Sequence, residues 1–400
     1  FPRRIMKLTV YICVVISTLA ILLGQSEGRK KKKVSGEAHG FGTPITKFSL
    51  DLFKILVAES FKNGTGPENV VFSPSSAFRA LLLLRFATGN NSQVQMDKAL
   101  HIEDVSDVTS SYRKWKGSKL DGVKEADRLY HDSSVSVVGN IKSILGSEIT
   151  SVSLTNEGTV EQINSWVSQA TQGQITELVK TIENDVRIIL LSALYMKAEW
   201  AIPFSKVTTK EFTLTDGSTV NVPMMFKEDQ LLFHYSGDLK TQVVALEYRN
   251  SPLKFVVFLP SGDQTLDKLA TSLSSEAIDT VMNSLFESKV ELHLPKFRVE
   301  KDIKLTTLCQ ELGMTDIFDI SKAKLPSFKS TEPLYVKEVL QKVVVDVDKQ
   351  GTTASAVTKV TVGSRSSGIE IVANKPFMYV VYDSSSRTPL FMGTMMNPNE

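Results

Sequence analysis

The residues able to do covalent or metal chemistry are few and far apart. The five histidines, His39, His101, His131, His234 and His293, are scattered, and none stands at a metal-ligand spacing from a cysteine or carboxylate. No nucleotide-binding loop, Gly-x-Ser-x-Gly elbow, His-Glu-x-x-His or Cys-x-x-Cys pair is present. An enzyme would need a triad assembled by the fold alone, so we expect no enzyme and no metal or other required cofactor. The sequence does concentrate positive charge. Arg29, Lys30, Lys31, Lys32 and Lys33 form an unbroken run, and Arg113, Lys114, Lys116 and Lys119 a second cluster beside Tyr112 and Trp115. Both suit a heparin-like glycosaminoglycan or another anionic surface; a solvated tail and an ordinary charged helix are the plainer alternative. Asn63-Gly64-Thr65 and Asn90-Asn91-Ser92 are acceptor triplets for N-glycosylation at Asn63 and Asn90.

Glycosylation requires a secretory route, and the N-terminus offers one. Met6 and Lys7 precede an apolar run from Leu8 to Leu23 and a small-residue end at Gly24 to Gly28, the pattern of a signal peptide cleaved after Ser26. The run is short for an anchor, and no later segment is apolar for long enough to span a bilayer. We therefore expect a leader over 1–28, a basic flexible segment over 29–43, one domain over 44–400, and a secreted, extracellular product. Cys13 falls in the leader, leaving Cys309 alone. With no internal disulfide, a large core must hold the fold, and 42% hydrophobic content can supply it. The net charge of +2 is already carried by residues 1–28, through Arg3, Arg4 and Lys7 against Glu27. The remainder is formally neutral, which argues against a nucleic-acid partner.

The elements follow from periodicity. Ile45, Phe48, Leu52, Phe53, Leu56 and Val57 have helical spacing, predicting a helix over about 44–61. Ser73 can cap and Pro74 can open a helix whose apolar run, Ala77 to Ala87, has no polar face and so belongs in the interior. A third helix is expected from Val160 to Thr171, stopped by Gly173. The unbroken apolar runs Val186–Met196, Phe255–Leu259, Val343–Val347, Met378–Tyr382 and Leu390–Met392 read as strands covered on both faces. Helices in the first half and strands in the second predict an α+β domain.

Segments in order from Asn69 to Pro398 resemble the signatures of the serpin family. They are Asn69-Val70-Val71-Phe72-Ser73-Pro74-Ser75-Ser76, Asn164-Ser165-Trp166-Val167 with Thr171-Gln172-Gly173-Gln174-Ile175, and Ala193-Leu194-Tyr195-Met196-Lys197 with Trp200 and Phe204. Further on come Leu294-Pro295-Lys296-Phe297, Leu312-Gly313-Met314, Gly351-Thr352, Asn374-Lys375-Pro376-Phe377 and Pro389-Leu390-Phe391-Met392-Gly393. The resemblance implies three β-sheets, eight or nine helices, a monomer, and an exposed reactive loop over about 351–369. In that family a protease cleaves the loop and is acylated by it; the freed loop then inserts as a strand into the main sheet and distorts the protease. The family's bait residue lies fourteen residues after the hinge glycine, which maps Gly351 to Arg365 and the scissile bond to Arg365-Ser366. An arginine there suits a trypsin-like serine protease, whether of clotting, immune-cascade or digestive type, because a pocket carboxylate pairs with guanidinium bidentately. A clotting target would make the protein an anticoagulant, and heparin or another glycosaminoglycan is a candidate activator rather than a required cofactor.

The loop's own residues fit insertion. Thr352, Ala354, Ala356, Thr358, Val360 and Val362 are small or β-branched and uncharged, whereas the one lysine, Lys359, lies in the alternate set. No proline precedes Arg365 to remove a ladder hydrogen bond. A non-inhibitory carrier or chaperone of the same fold would place bulky, charged or proline residues in the hinge, where this chain has Thr352, Thr353, Ala354, Ser355 and Ala356. Four positions depart from the family pattern: Lys349 and Gln350 precede the hinge where acids are common, and Ser192 and Gln341 replace an asparagine and a histidine where the main sheet opens. Both replacements can hydrogen-bond.

Overall fold

The computed structural model describes residues 40–62, 66–116, 120, 122–196, 198–351 and 368–400. Nine α-helices occur among them: α1 (Gly42–Ser60), α2 (Pro74–Arg85), α3 (Asn90–Ala99), α4 (Val108–Lys116), α5 (Ile141–Leu145), α6 (Thr159–Ala170), α7 (Leu266–Ser272), α8 (Ser275–Ser284) and α9 (Leu305–Glu311). The first strands are β1 (Val70–Phe72), β2 (Val123–Asp132), β3 (Ser136–Val137), β4 (Ile149–Val152), β5 (Ile188–Met196), β6 (Lys206–Thr213), β7 (Thr219–Ser236) and β8 (Thr241–Glu247). They are followed by β9 (Leu253–Pro260), β10 (Phe286–Pro295), β11 (Phe297–Lys304), β12 (Phe328–Lys329), β13 (Glu338–Val347), β14 (Ile369–Val372), β15 (Phe377–Asp383) and β16 (Thr388–Met395).

Three sheets result. A five-stranded sheet runs β11-β13-β5-β2-β4; a nine-stranded one runs β1-β16-β15-β9-β8-β7-β10-β14 with β6 on β7; β12 and β3 form a small pair. In the five-stranded sheet, β13 pairs with β5 in parallel, Glu338 opposite Ile189 through Val345 opposite Met196. Its other central ladders, β11 on β13 and β2 on β5, are antiparallel.

Helix α2 is the interior helix that its composition demands. Ser73 caps it by accepting the Ser76 N–H at 3.2 Å, Pro74 takes the first turn, and Ala77, Phe78 and Ala80 to Leu84 are fully buried. Helix α6 is amphipathic instead. Ile163 and Val167 pack on Leu191, Ala193, Tyr195 and Val344, covering the outer face of the five-stranded sheet. Gly173, at φ 77°, ends it as expected, its N–H closing on Ser168 O at 2.7 Å. With α6 outside and α2 within, all nine residues of β5 are buried, as its unbroken apolar run requires.

Gly393 marks a second tight place. A Cβ there would stand 2.6 Å from the Tyr379 ring and closer still to Val70 O. We expect Gly393→Ala to lower stability by about 1–3 kcal/mol through overpacking, read from its urea midpoint; an unshifted midpoint would mean that β1 and β15 can yield.

Candidate functional site

The turn at Gly351, the seam between β5 and β13, and the polar groups beneath that seam form one region. Gly351 closes a bridge to Asp348 with φ 88°. A Cβ would lie 2.5 Å from Ala198 O and from the Glu199 Cα, so only glycine fits here. The segment after β5 grips this turn: Trp200 Nε1 donates to Asp348 O at 2.9 Å, Trp200 N–H to Gln350 O at 3.3 Å, and Phe204 N–H to Lys349 O at 2.9 Å. Trp200 is itself stacked on Tyr248, ring centroids 4.6 Å apart.

On the inner face of the seam, Ile188, Leu190 and Val339 join one core cluster, and Leu194, Met196, Val343, Val345 and Val347 the other. Between them sit the register partners Ser192 and Gln341, both buried. The Gln341 amide grips the α2 cap in both senses, its Oε1 accepting the Ser73 N–H at 3.1 Å and its Nε2 donating to Ser73 O at 2.9 Å. Nε2 also lies 3.4 Å from Ser192 Oγ. Ser76 Oγ donates to Asp127 Oδ1 at 2.9 Å, which leaves Ser192 to donate to Ser76 across 2.6 Å.

Asp127 is the buried charge in this chain of contacts. Its second oxygen faces Arg79 Nε at 3.6 Å without a hydrogen bond, while Arg79 also pairs with Glu125 and, at 3.1 Å, with Glu148. Burial pushes the Asp127 carboxyl up, to about 7, with the Glu125 charge adding to the rise against the pull of Arg79. No hydroxyl or histidine here has a nucleophile's arrangement, no group of metal ligands occurs among the described residues, and burial pushes the Cys309 thiol up to about 12.

Of the expected site residues, Gly351 is described, whereas Thr352, Thr353, Ala354, Ser355, Ala356, Arg365 and Ser366 lie outside the described residues, as do Asn63, Lys119 and Arg29 to Lys33. Asn90 is exposed on the first turn of α3. In the second basic cluster Arg113 and Lys114 are exposed, but Lys116 turns inward to Glu148 at 2.6 Å and to Leu145 O. Tyr112 is buried, donating to the same Glu148. Residue spacing offered no sign of the Arg79, Asp127 and Ser76 grouping, because β2 carries several charges along its length and only the fold selects which of them it buries. His101 finds Asp51 at 2.7 Å, a pairing of distant segments. No helix among the described residues is long and apolar enough to cross a membrane.

Comparison with known proteins agrees with this architecture. A family model described as serpin (serine protease inhibitor) matches residues 43–398. The chain is 30% identical to plasminogen activator inhibitor 1 of Bos taurus over 97% of its own length and 99% of that protein's. It is likewise 30% identical to the leukocyte elastase inhibitor of Equus caballus, over 89% of this chain and 99% of the relative. The crystal structure of native tengpin, a thermophilic serpin, superposes with a TM-score of 0.79 at 27% identity, covering 89% of this chain and 94% of that one. The chain belongs to the serpin family.

The raised carboxyl of Asp127 has a measurable consequence. Between 3.8 and about 7 the folded protein keeps a proton there that the unfolded chain releases, so stability falls as pH rises through that window. Asp127→Asn should flatten this slope, read as urea midpoints at pH 5 and pH 8. A slope unchanged in the variant would assign the titration to another group.

Proposed function

We propose that the chain is an irreversible suicide-substrate inhibitor of trypsin-like serine proteases, cleaved at Arg365-Ser366. The protease serine attacks the Arg365 carbonyl, the peptide bond to Ser366 breaks, and the acyl-enzyme is carried off as the loop inserts between β5 and β13. The parallel seam beside the Gly351 turn carries this reading. A strand that reverses at Gly351 must run antiparallel to β13, and therefore also to β5. Insertion exchanges one parallel ladder for two antiparallel ones, which are slightly more stable per residue.

Register supports it further. Continuing the Asp348–Gly351 bridge sets Thr352 against Val347, Ala354 against Val345, Ala356 against Val343, Thr358 against Gln341 and Val360 against Val339. The uncharged set thus meets the buried inner face, and its central threonine falls on the polar pair beneath the seam. Ladder hydrogen bonds at about 1 kcal/mol each would together contribute on the order of 10 kcal/mol, comparable with a whole domain's stability. That is enough to deform a tethered protease.

With this function goes a secreted protein glycosylated at Asn63 and Asn90, with Arg29 to Lys33, Arg113 and Lys114 meeting a glycosaminoglycan. The carrier or chaperone reading keeps the fold and drops the trapping. Incubation of the mature protein with trypsin, thrombin and factor Xa, run on denaturing gels, separates the two. We expect a boiling-resistant band at the summed mass that Arg365→Ala abolishes. Clean cleavage after Arg365 with no such band would establish a substrate and favour the non-inhibitory reading.

A further inference from the structure

The seam is closed at three levels. Trp200 and Phe204 hold its head, Gln341 and Ser192 its middle, and side chains of the segments leading into the two strands hold its foot. At the foot, Lys337 Nζ sits 2.8 Å from both oxygens of Asp185 and also contacts Glu183. The Tyr335 hydroxyl donates to Asp185 Oδ2 at 3.3 Å, and Arg187 pairs with Glu332 at 3.3 Å. Every one of these contacts joins 332–337, which leads into β13, to 183–187, which leads into β5.

The charges farther along β13 point the other way. Lys342 lies 3.0 Å from Glu300 and 3.0 Å from Asp302, and Arg298 lies 3.7 Å from Asp346. They tie β13 to β11, so these two strands move as one body when the sheet opens. The ladder that must break is then the parallel one on β5; the ion pairs that span this opening among the described residues are those at the foot and, from the segment before β5 to β11, an exposed pair of Lys180 with Asp302 at 3.6 Å.

We propose that Lys337 is a positioning residue for the last stage of loop insertion: its clasp on Glu183 and Asp185 holds the foot of the seam shut and sets the share of encounters that end in trapping. This rests on the insertion reading above. Paired strands stand about 4.8 Å apart, so admitting a third takes them to about 9.6 Å, and a 2.8 Å contact across the gap is lost. The timing follows from register. Continuing the same ladder sets Val362 opposite Lys337, so the clasp is reached only after most of the loop has entered and just before Arg365. Hydrolysis of the acyl-enzyme competes throughout, and a delay in the final step releases cleaved inhibitor and free protease. The carboxylates are more than half exposed, so the clasp is a modest barrier and one weakened by salt.

The test uses the full chain, with a synthetic peptide of the sequence Thr352 to Arg365 annealed into the uncleaved protein, alongside titration of trypsin. Lys337→Met keeps the apolar stem and removes the charge. We expect it to anneal the peptide about threefold to tenfold faster and to need fewer inhibitor molecules per trypsin trapped. Raising salt should speed annealing in the wild type and have little effect in the variant. Glu183→Gln with Asp185→Asn probes the same clasp from the β5 side, and the wild-type salt response needs no variant at all. A wild type that traps trypsin and anneals peptide, with Lys337→Met annealing at the same rate, overturns the clasp and leaves the inhibitor reading standing. A wild type that does neither overturns both.

Discussion

The parallel ladder between β5 and β13 is the constraint on which the other features depend. Parallel neighbours cannot be joined by a tight turn, and here some 140 residues of chain separate the two strands. Their pairing is therefore held from outside: by α6 on the outer face, by the cap of α2 on the inner face, and by side chains at either end. A ladder so held owes nothing to a short connection between its strands. β11 and β2, bound to it by antiparallel ladders, supply the rigid flanks.

Placing Ser192 and Gln341 in an apolar stripe has a cost that the local geometry offsets. A buried amide left unpaired loses about 1–3 kcal/mol, so the α2 cap has to meet it. Gln341 engages both the N–H and the C=O of Ser73, while Ser73 Oγ donates to Leu390 O at 2.8 Å. One residue thus links the five-stranded sheet, the central helix and β16 of the larger sheet. The polar pair keeps the seam in one register, because a shift by one residue would point Gln341 at α6.

Much of this was legible in the sequence, and the reasons differ by element. The apolar run of β5 and the Ser73-Pro74 start of α2 are local signals, and both elements form within two residues of where they were expected. Gly351 was expected as the hinge glycine through its family context; what the structure shows there is a glycine at positive φ against the backbone of Ala198 and Glu199. What spacing could not show are groupings made by the fold. Lys337 meets Asp185 across about 150 positions, and Arg79 gathers Glu125 and Asp127 from β2 and Glu148 from the turn before β4. Charge runs mislead in the same way: Lys116 belongs to a basic cluster by sequence and to a buried carboxylate by packing.

The glutamine at 341 also moves the seam's response to pH onto other groups. Gln341 and Ser192 do not titrate in the physiological range, and the ionisable group that hydrogen bonds join to them is Asp127, one hydroxyl away through Ser76. Its protonation below about 7 removes a buried charge and favours the folded state. At the foot the sign is opposite. Hydrogen bonds from Lys337 hold the Asp185 carboxyl below its usual range, and only its charged form grips Lys337. As pH falls, the fold gains stability at Asp127 first, and the foot loosens only when Asp185 takes up its proton under stronger acid. The two carboxylates therefore respond to acid with opposite sign, through groups that share no contact.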